Sequence, residues 1–198
     1  LGVFVILWNE QKRTWLNQKL RIKESTSSID DLEELLEVDV PLELLVSNSE
    51  KDIFKLPYNF FKRVSSYSIA TKGDCKNKKI VNWVYKPKDI EVILSNSNFN
   101  PNFEWEETVA TLAGNSLQVY KTDFKIKKVY LTYYKEPKDL DISGYIRSDG
   151  TSSIDVEVDL SKENIEEITN RTVLEVSFNY ENAEQAGLAA QRIKNNEQ

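Results

Sequence analysis

The sequence predicts an α+β chain: an antiparallel β-rich central body flanked by N-terminal helices and a long C-terminal helix. Three observations carry that expectation. Apolar residues recur at helical spacing near both ends of the chain. The stretch 42–136 breaks into short β-branched and aromatic runs separated by turn residues. The 198 residues, 40% of them hydrophobic, are enough to build a core without disulfide or metal staples. One domain with three sections follows: a helical unit over 1–41, a β-rich body over 42–158, and a C-terminal helix with its tail over 159–198.

The first section opens with an amphipathic helix over 3–24. Leu7, Trp8, Trp15, Leu16, Leu20 and Ile22 approximate a 3.6-residue period, with Gln11, Lys12, Arg13 and Gln18 between them. The apolar run Val3–Trp8 spans six residues, too few to cross a bilayer, and neither a basic stretch before it nor a small-residue cleavage site after it marks a leader. Residue 1 is Leu, so the chain is expected to begin downstream of its original start. Ser25–Ser28 interrupts the helix, and Ser27 or Ser28 caps a second one, Ile29 to Glu37. Asp30, Asp31, Glu33 and Glu34 crowd its first turns, where the helix dipole favours negative charge, and Pro41 ends the unit.

In the central body, Leu42–Val46 and Asp52–Leu56 flank Ser47-Asn48-Ser49-Glu50 as a hairpin. Val64–Thr71 and Ile80–Tyr85 read as strands around a polar loop, Lys72–Asn77. Lys88–Leu94 reads as a short helix stopped by Ser95-Asn96-Ser97-Asn98. Thr108–Leu112, Ser116–Tyr120 and Lys127–Tyr134 read as three more strands, the first two joined at Ala113-Gly114-Asn115. Residues 138–153 form a connector, Ile154–Val158 a brief strand, and Ser161 the cap of the last helix. Ile165, Ile168, Thr172, Val173, Val176 and Tyr180 make that helix's apolar stripe, which thins to Ala183, Ala186, Leu188, Ala190 and Ile193. Unbroken, the helix would run to about 35 residues, long for a globular protein. Either it breaks near Asn179–Asn182, or its Ala-rich end projects from the body to meet a neighbour.

The composition restricts the chemistry. There is no histidine and one cysteine, Cys75. No Ser-His-Asp or Cys-His pair can form, a zinc site of His and Cys lacks its ligands, and an internal disulfide is impossible. No catalytic residue, cofactor or metal is expected. Carboxylates are the only acid–base groups in quantity. Glu104, Glu106 and Glu107 around Trp105 resemble a glycosidase pair beside an aromatic platform, or a polar strand edge beside a buried tryptophan. Asp139, Asp141, Asp149 and Asp155 lack the spacing of a calcium loop and read as solvated turn acids. Asn170-Arg171-Thr172 is a formal glycosylation sequon, but it falls inside a helix.

The net charge of -6 hides a segregation. Residues 25–41 hold six acids and no base; 62–88 hold eight bases and one acid; 154–184 hold nine acids and two bases. Charge runs ordinarily solvate a surface. The alternative is that opposite blocks on identical subunits attract head to tail and close a ring. That reading marks Lys72, Lys76, Lys78 and Lys79, Glu163, Glu166 and Glu167, and the small-residue tail Ala183, Ala186, Leu188, Ala190 and Ile193 as subunit-interface candidates. The lysine-rich stretch with Trp83 and Tyr85 has the ingredients of a single-strand nucleic-acid site, or of a hairpin with ordinary strand aromatics; the acidic balance disfavours the former.

The order of segments resembles one family. Trp15-Leu16-Asn17 in the first helix is followed by Ser28-Ile29-Asp30-Asp31-Leu32, then by Phe54-Lys55-Leu56-Pro57-Tyr58-Asn59-Phe60 and Val64-Ser65-Ser66. Asp89-Ile90 with Leu94, Phe99-Asn100-Pro101, Leu131–Pro137 with Leu140-Asp141-Ile142, and Asp159-Leu160-Ser161 leading to Glu166-Glu167-Ile168 and Arg171 complete the set. The set is similar to the ring, or neck, proteins of crAss-like tailed bacteriophages. It departs from them at Ser161, where a helix-starting proline is usual, and near Ile165, a usual histidine position. The resemblance implies a non-enzymatic virion protein assembled in the bacterial host cytoplasm and built into the neck between portal and tail. Its expected partners are further copies of itself in a ring, twelve being the expected number, the portal or an adjacent ring, and tail or muzzle proteins. DNA would pass only through the lumen, and no membrane is involved. The other reading of the sequence is a carbohydrate- or receptor-binding module using Trp105.

Overall fold

In a computed structural model of the chain, residues 1–21 and 32–179 are described. They fall into two compact units, one of Leu1–Leu35 with Pro137 onward, the other of Leu36–Glu136.

The second unit is one eight-stranded sheet: β1 (Leu36–Pro41), β2 (Glu43–Ser47), β3 (Lys51–Lys55), β4 (Phe60–Lys72), β5 (Cys75–Tyr85), β6 (Glu107–Ala113), β7 (Ser116–Tyr120) and β8 (Lys125–Lys135). The strand order is β1-β8-β4-β5-β6-β7-β3-β2. Alternation along the strands sends Phe54, Ala110, Leu117, Val119, Val129, Leu131 and Tyr133 into one buried cluster, and Ala70 and Ile80 into a second with Phe103 and Phe124.

The fold differs from the expected antiparallel body at one place that organises the rest. β5 and β6 pair in parallel, Val81 to Glu107 through Tyr85 to Thr111, so the sheet is mixed. A parallel pair needs a crossover. Residues 86–106 supply it, carrying a 3-10 turn at Pro87–Asp89 and a short helix, Ile90–Ser95, where the sequence predicts one. Local patterning reports that a segment is a strand but not its direction beside a distant one.

The expected helix over 29–37 is also overturned, as far as it is described. A 3-10 turn at Glu33–Leu35 passes directly into β1. Leu36, Val38 and Val40 alternate with Glu37 and Asp39, a period of two that outweighs the acidic helix-start signal. The hairpin of β4 and β5 is longer than expected. Its turn is Gly73-Asp74, with Gly73 at φ +55°, and the predicted polar loop continues the strands as far as Lys72 and from Cys75.

The first unit packs α1 (Gly2–Arg21) against the last helix, Lys162–Asn179. With the crossover helix Ile90–Ser95 as α2, this last helix is α3. Trp8, Trp15, Leu16, Leu20 and Ile168 are buried, and the Trp8 indole donates to Thr169 Oγ1 at 3.1 Å. Ser161 caps α3 as expected, its hydroxyl accepting from Asn164 N at 3.3 Å. The long C-terminal helix is a correction. Over the described residues α3 has 18 residues, fewer than the 20 of α1. The expected continuation of the stripe over 180–198 lies outside the described residues. The expected strand Ile154–Val158 is a loop with one isolated bridge, Val156 to Asp141. Ile154 N donates to the Asp141 carboxylate at 3.0 Å in place of a strand partner.

Candidate functional site

The pairing of β8 with β4 assembles what the linear sequence separates. β4 contributes Lys62, Arg63 and Lys72; β5 contributes Lys76, Lys78 and Lys79; β8 contributes Lys125, Lys127, Lys128 and Lys135. These three adjacent strands carry ten basic residues and no acidic one. The β8 lysines escape a reading of charge blocks along the chain. Their signal is the strand pattern of Lys125–Tyr134, but only the pairing partner places them beside residues 62–79.

Register defines one face of this sector. Ile69 pairs with Lys79 on one side and Lys128 on the other; Tyr67 pairs with Val81 and Tyr130. Paired residues share a face, so Lys79 and Lys128 flank Ile69 beside the Tyr67–Tyr130 stack, whose centroids lie 5.0 Å apart. Lys79 Nζ stands 3.8 Å from the Tyr67 ring centre, a cation–π contact. Trp83, two residues beyond Val81 on the same face, is 52% exposed.

The four predicted lysines divide. Lys72 Nζ binds Asp123 at 2.7 Å and Glu104 at 3.6 Å; the Asp123 hydrogen bond holds the ammonium above its ordinary pKa and holds the Asp123 carboxyl below its own. Lys78 pairs with Glu106 at 3.4 Å and donates to the Glu104 carbonyl at 3.4 Å. Lys76 and Lys79 are exposed and form no ion pair with the other described residues. Two of the four therefore neutralise acids of their own unit, and two face solvent.

Two of those acids, Glu104 and Glu106, flank Trp105. Asn102 Oδ1 accepts from Glu104 N and Trp105 N, making a turn that holds Trp105 at the surface, 64% exposed rather than buried. Glu106 adopts φ +60° before β6 begins. With Glu104 and Glu106 held by lysines, the cluster is arranged as ion pairs on a strand edge, not as two carboxyls across a cleft.

The acidic block divides too. Glu167 is buried on α3, bound to Lys19 at 3.3 Å and Arg171 at 2.7 Å, so it stabilises its own unit. Glu163 and Glu166, three residues apart on one helical face, are exposed, as is Glu157. Ala183, Ala186, Leu188, Ala190 and Ile193 lie outside the described residues.

The loop acids are occupied individually. Asp139 accepts from Lys12; Asp155 accepts from Ser143 N and Oγ; Asp149 accepts from Thr151 N and Oγ1. Asp141 accepts from Ile154 N, from Tyr145 Oη at 2.7 Å and from Arg147, and these bonds, the backbone one foremost, hold its carboxyl at a pKa of about 2. Among the described residues no three acidic, Cys or His side chains are grouped to hold a metal ion. Asn170 of the sequon is buried within α3, out of reach of a glycosyl donor in the folded chain. Cys75 is exposed at the start of β5.

The arrangement presents a cation-rich sheet sector on one unit and exposed carboxylates on a helix of the other. Both are suited to binding surfaces of opposite charge. Comparison with known proteins adds no assignment: no family model matches the chain, and no curated protein matches it.

Proposed function

We propose that this chain is a non-enzymatic structural subunit that assembles with identical copies into a closed ring, a head-to-tail connector of a tailed phage virion. The reading rests on the resemblance to the neck proteins of crAss-like phages and on one observation that carries it. The strands β8, β4 and β5 gather ten basic residues and no acid, while Glu157, Glu163 and Glu166 stand exposed on the other unit. Each subunit thus carries both halves of a complementary pair. A contact between different patches on identical copies is heterologous, and it closes a ring when the rotation per subunit divides the circle. On this reading the ring sits between portal and tail, meets the portal or an adjacent ring on one face and tail proteins on the other, and lets DNA through its lumen.

The carbohydrate-binding alternative has less support, because Glu104 and Glu106 are engaged by lysines; the exposed Trp105 ring is the feature it keeps.

Charge reversal tests the proposal. Lys76→Glu with Lys79→Glu should weaken each subunit contact by roughly 2- to 30-fold, since each exposed pair is worth about 0.2–1 kcal/mol. Adding Glu163→Lys and Glu166→Lys to the same chain should restore it. Failure of the fourfold variant to reassemble, with its fold intact by circular dichroism, would refute the pairing.

A further inference from the structure

Trp83 is a large aromatic side chain left half in solvent, 52% exposed on β5. Lys79 and Val81 precede it on the same face of the strand, and Val81 is exposed as well. Over 76–88 the chain holds five lysines and no acid. On the neighbouring strand β6, Glu107 stands opposite Val81 in the parallel register.

The helical unit carries a complementary feature. A cavity of about 450 Å³ is walled by Phe4, Trp8, Val158, Leu160 and Ile165, and Glu157 is the only charged residue among those described that line it. Trp8 is fixed by its hydrogen bond to Thr169, and Leu160 is buried, so these walls are formed before anything enters. The segment 157–166 holds four acids and one base.

We infer that Trp83 of one copy seats in this cavity of the next copy, as the anchor of their head-to-tail contact. The inference rests on the connector reading and deepens it, naming what fills the centre of an interface whose surroundings are charged. The cavity lies within the size range of pockets that enclose small organic groups. Its apolar walls receive the indole, and the Glu157 carboxylate supplies the acceptor that a buried indole N–H calls for. Charge selects Trp83 among the exposed aromatics. Trp105 lies between Glu104 and Glu106 and would bring carboxylates to an acidic rim. Tyr58 and Phe99 have uncharged neighbours on both sides, and Phe178 belongs to the acidic helix α3 itself. Trp83 arrives with lysines. An aromatic anchor in an apolar pocket, ringed by weaker contacts that exclude water, is where binding energy concentrates.

Because the two partners of this contact lie on different parts of the chain, each can be removed alone. Trp83→Ala deletes the anchor and leaves the cavity; Val158→Trp fills the cavity and leaves the anchor. Each full-length variant should weaken the subunit contact at least about 30-fold. Mixed one to one, they retain a single intact contact, Trp83 of the Val158→Trp chain in the cavity of the Trp83→Ala chain. Sedimentation velocity at high protein concentration should then show a heterodimer that grows no further, which also shows that both variants are folded. Assembly of Trp83→Ala with the affinity of the unaltered chain would overturn the inference and leave the connector reading standing. So would a mixture that stays monomeric while both variants keep their native circular dichroism. Open chains of the unaltered protein in place of rings, dispersed by Trp83→Ala, would sink the closed ring and leave the anchor standing.

Discussion

Lys12 shows how far one side chain can depart from its place in a pattern. Helical periodicity puts it on the polar side of the first helix, between the apolar positions. It is instead fully buried, and its ammonium donates to the Pro137 carbonyl at 2.8 Å, the Lys138 carbonyl at 3.0 Å and Asp139 at 2.6 Å. The lysine thereby fixes the start of the 137–161 segment against α1. Removing one partner of such a buried group strands the others. Lys12→Met leaves the Pro137 and Lys138 carbonyls without that donor while the exposed Asp139 stays solvated, so it is expected to lower stability by about 1–3 kcal/mol in denaturant titrations, more than Lys→Met at an exposed position. Asp141 plays the same part for the loop that follows, tying Tyr145, Arg147 and Ile154 to one carboxylate. Its pKa lies below the ordinary 3.8, at about 2, so its contribution is complete above the higher value and lost as pH falls through that window. The amides of Ser143 to Ile154 should lose their native chemical shifts between pH 4 and about 2, and Asp141→Asn should remove that transition; an acid transition unchanged in the variant would contradict the assignment.

At the scale of elements, turns are legible in the sequence where their geometry is decided locally. Asn48 accepts from Glu50 N and Lys51 N in the turn of the β2–β3 hairpin, and Gly114 turns β6 into β7. Both were visible as turn residues between strand-forming runs. β1 is not legible in the sequence because two signals overlap there: four acids at the mouth of an expected helix, and a Leu-Val-Val alternation immediately after them. Tertiary pairing with β8 decides in favour of the strand. The bulge in β1 has its own prediction. Asp39 sits at φ +51°, its N–H directed at Thr132 Oγ1 at 3.2 Å. Asp39→Gly keeps that bond and relieves the strain, so stability should be nearly unchanged, whereas Asp39→Val should cost about 1–2 kcal/mol. A valine as well tolerated as glycine would show that the bulge is not held in the left-handed conformation.

For the whole molecule, what the sequence withheld is order in space. Seven of the eight strands were legible in outline, but β8 lies between β1 and β4, and β6 runs parallel to β5, because of contacts far apart along the chain. The same non-local pairing turns a run of lysines over 62–88 into a basic sector reinforced from β8. It also separates residues that a linear charge count treats alike. Lys72, Lys78 and Glu167 are spent on ion pairs within their own units, while Lys76, Lys79, Glu163 and Glu166 remain on the surface. The candidate interface legible in the sequence is thereby narrowed to its exposed members. The measurement that bears most directly on the connector account is the mass of the full chain in dilute, low-salt solution, by light scattering or mass photometry. The account predicts a closed species at a fixed multiple of 22.9 kDa that disperses in Lys76→Glu/Lys79→Glu. A monomer at every concentration, or an assembly of the same mass in that variant, would contradict it.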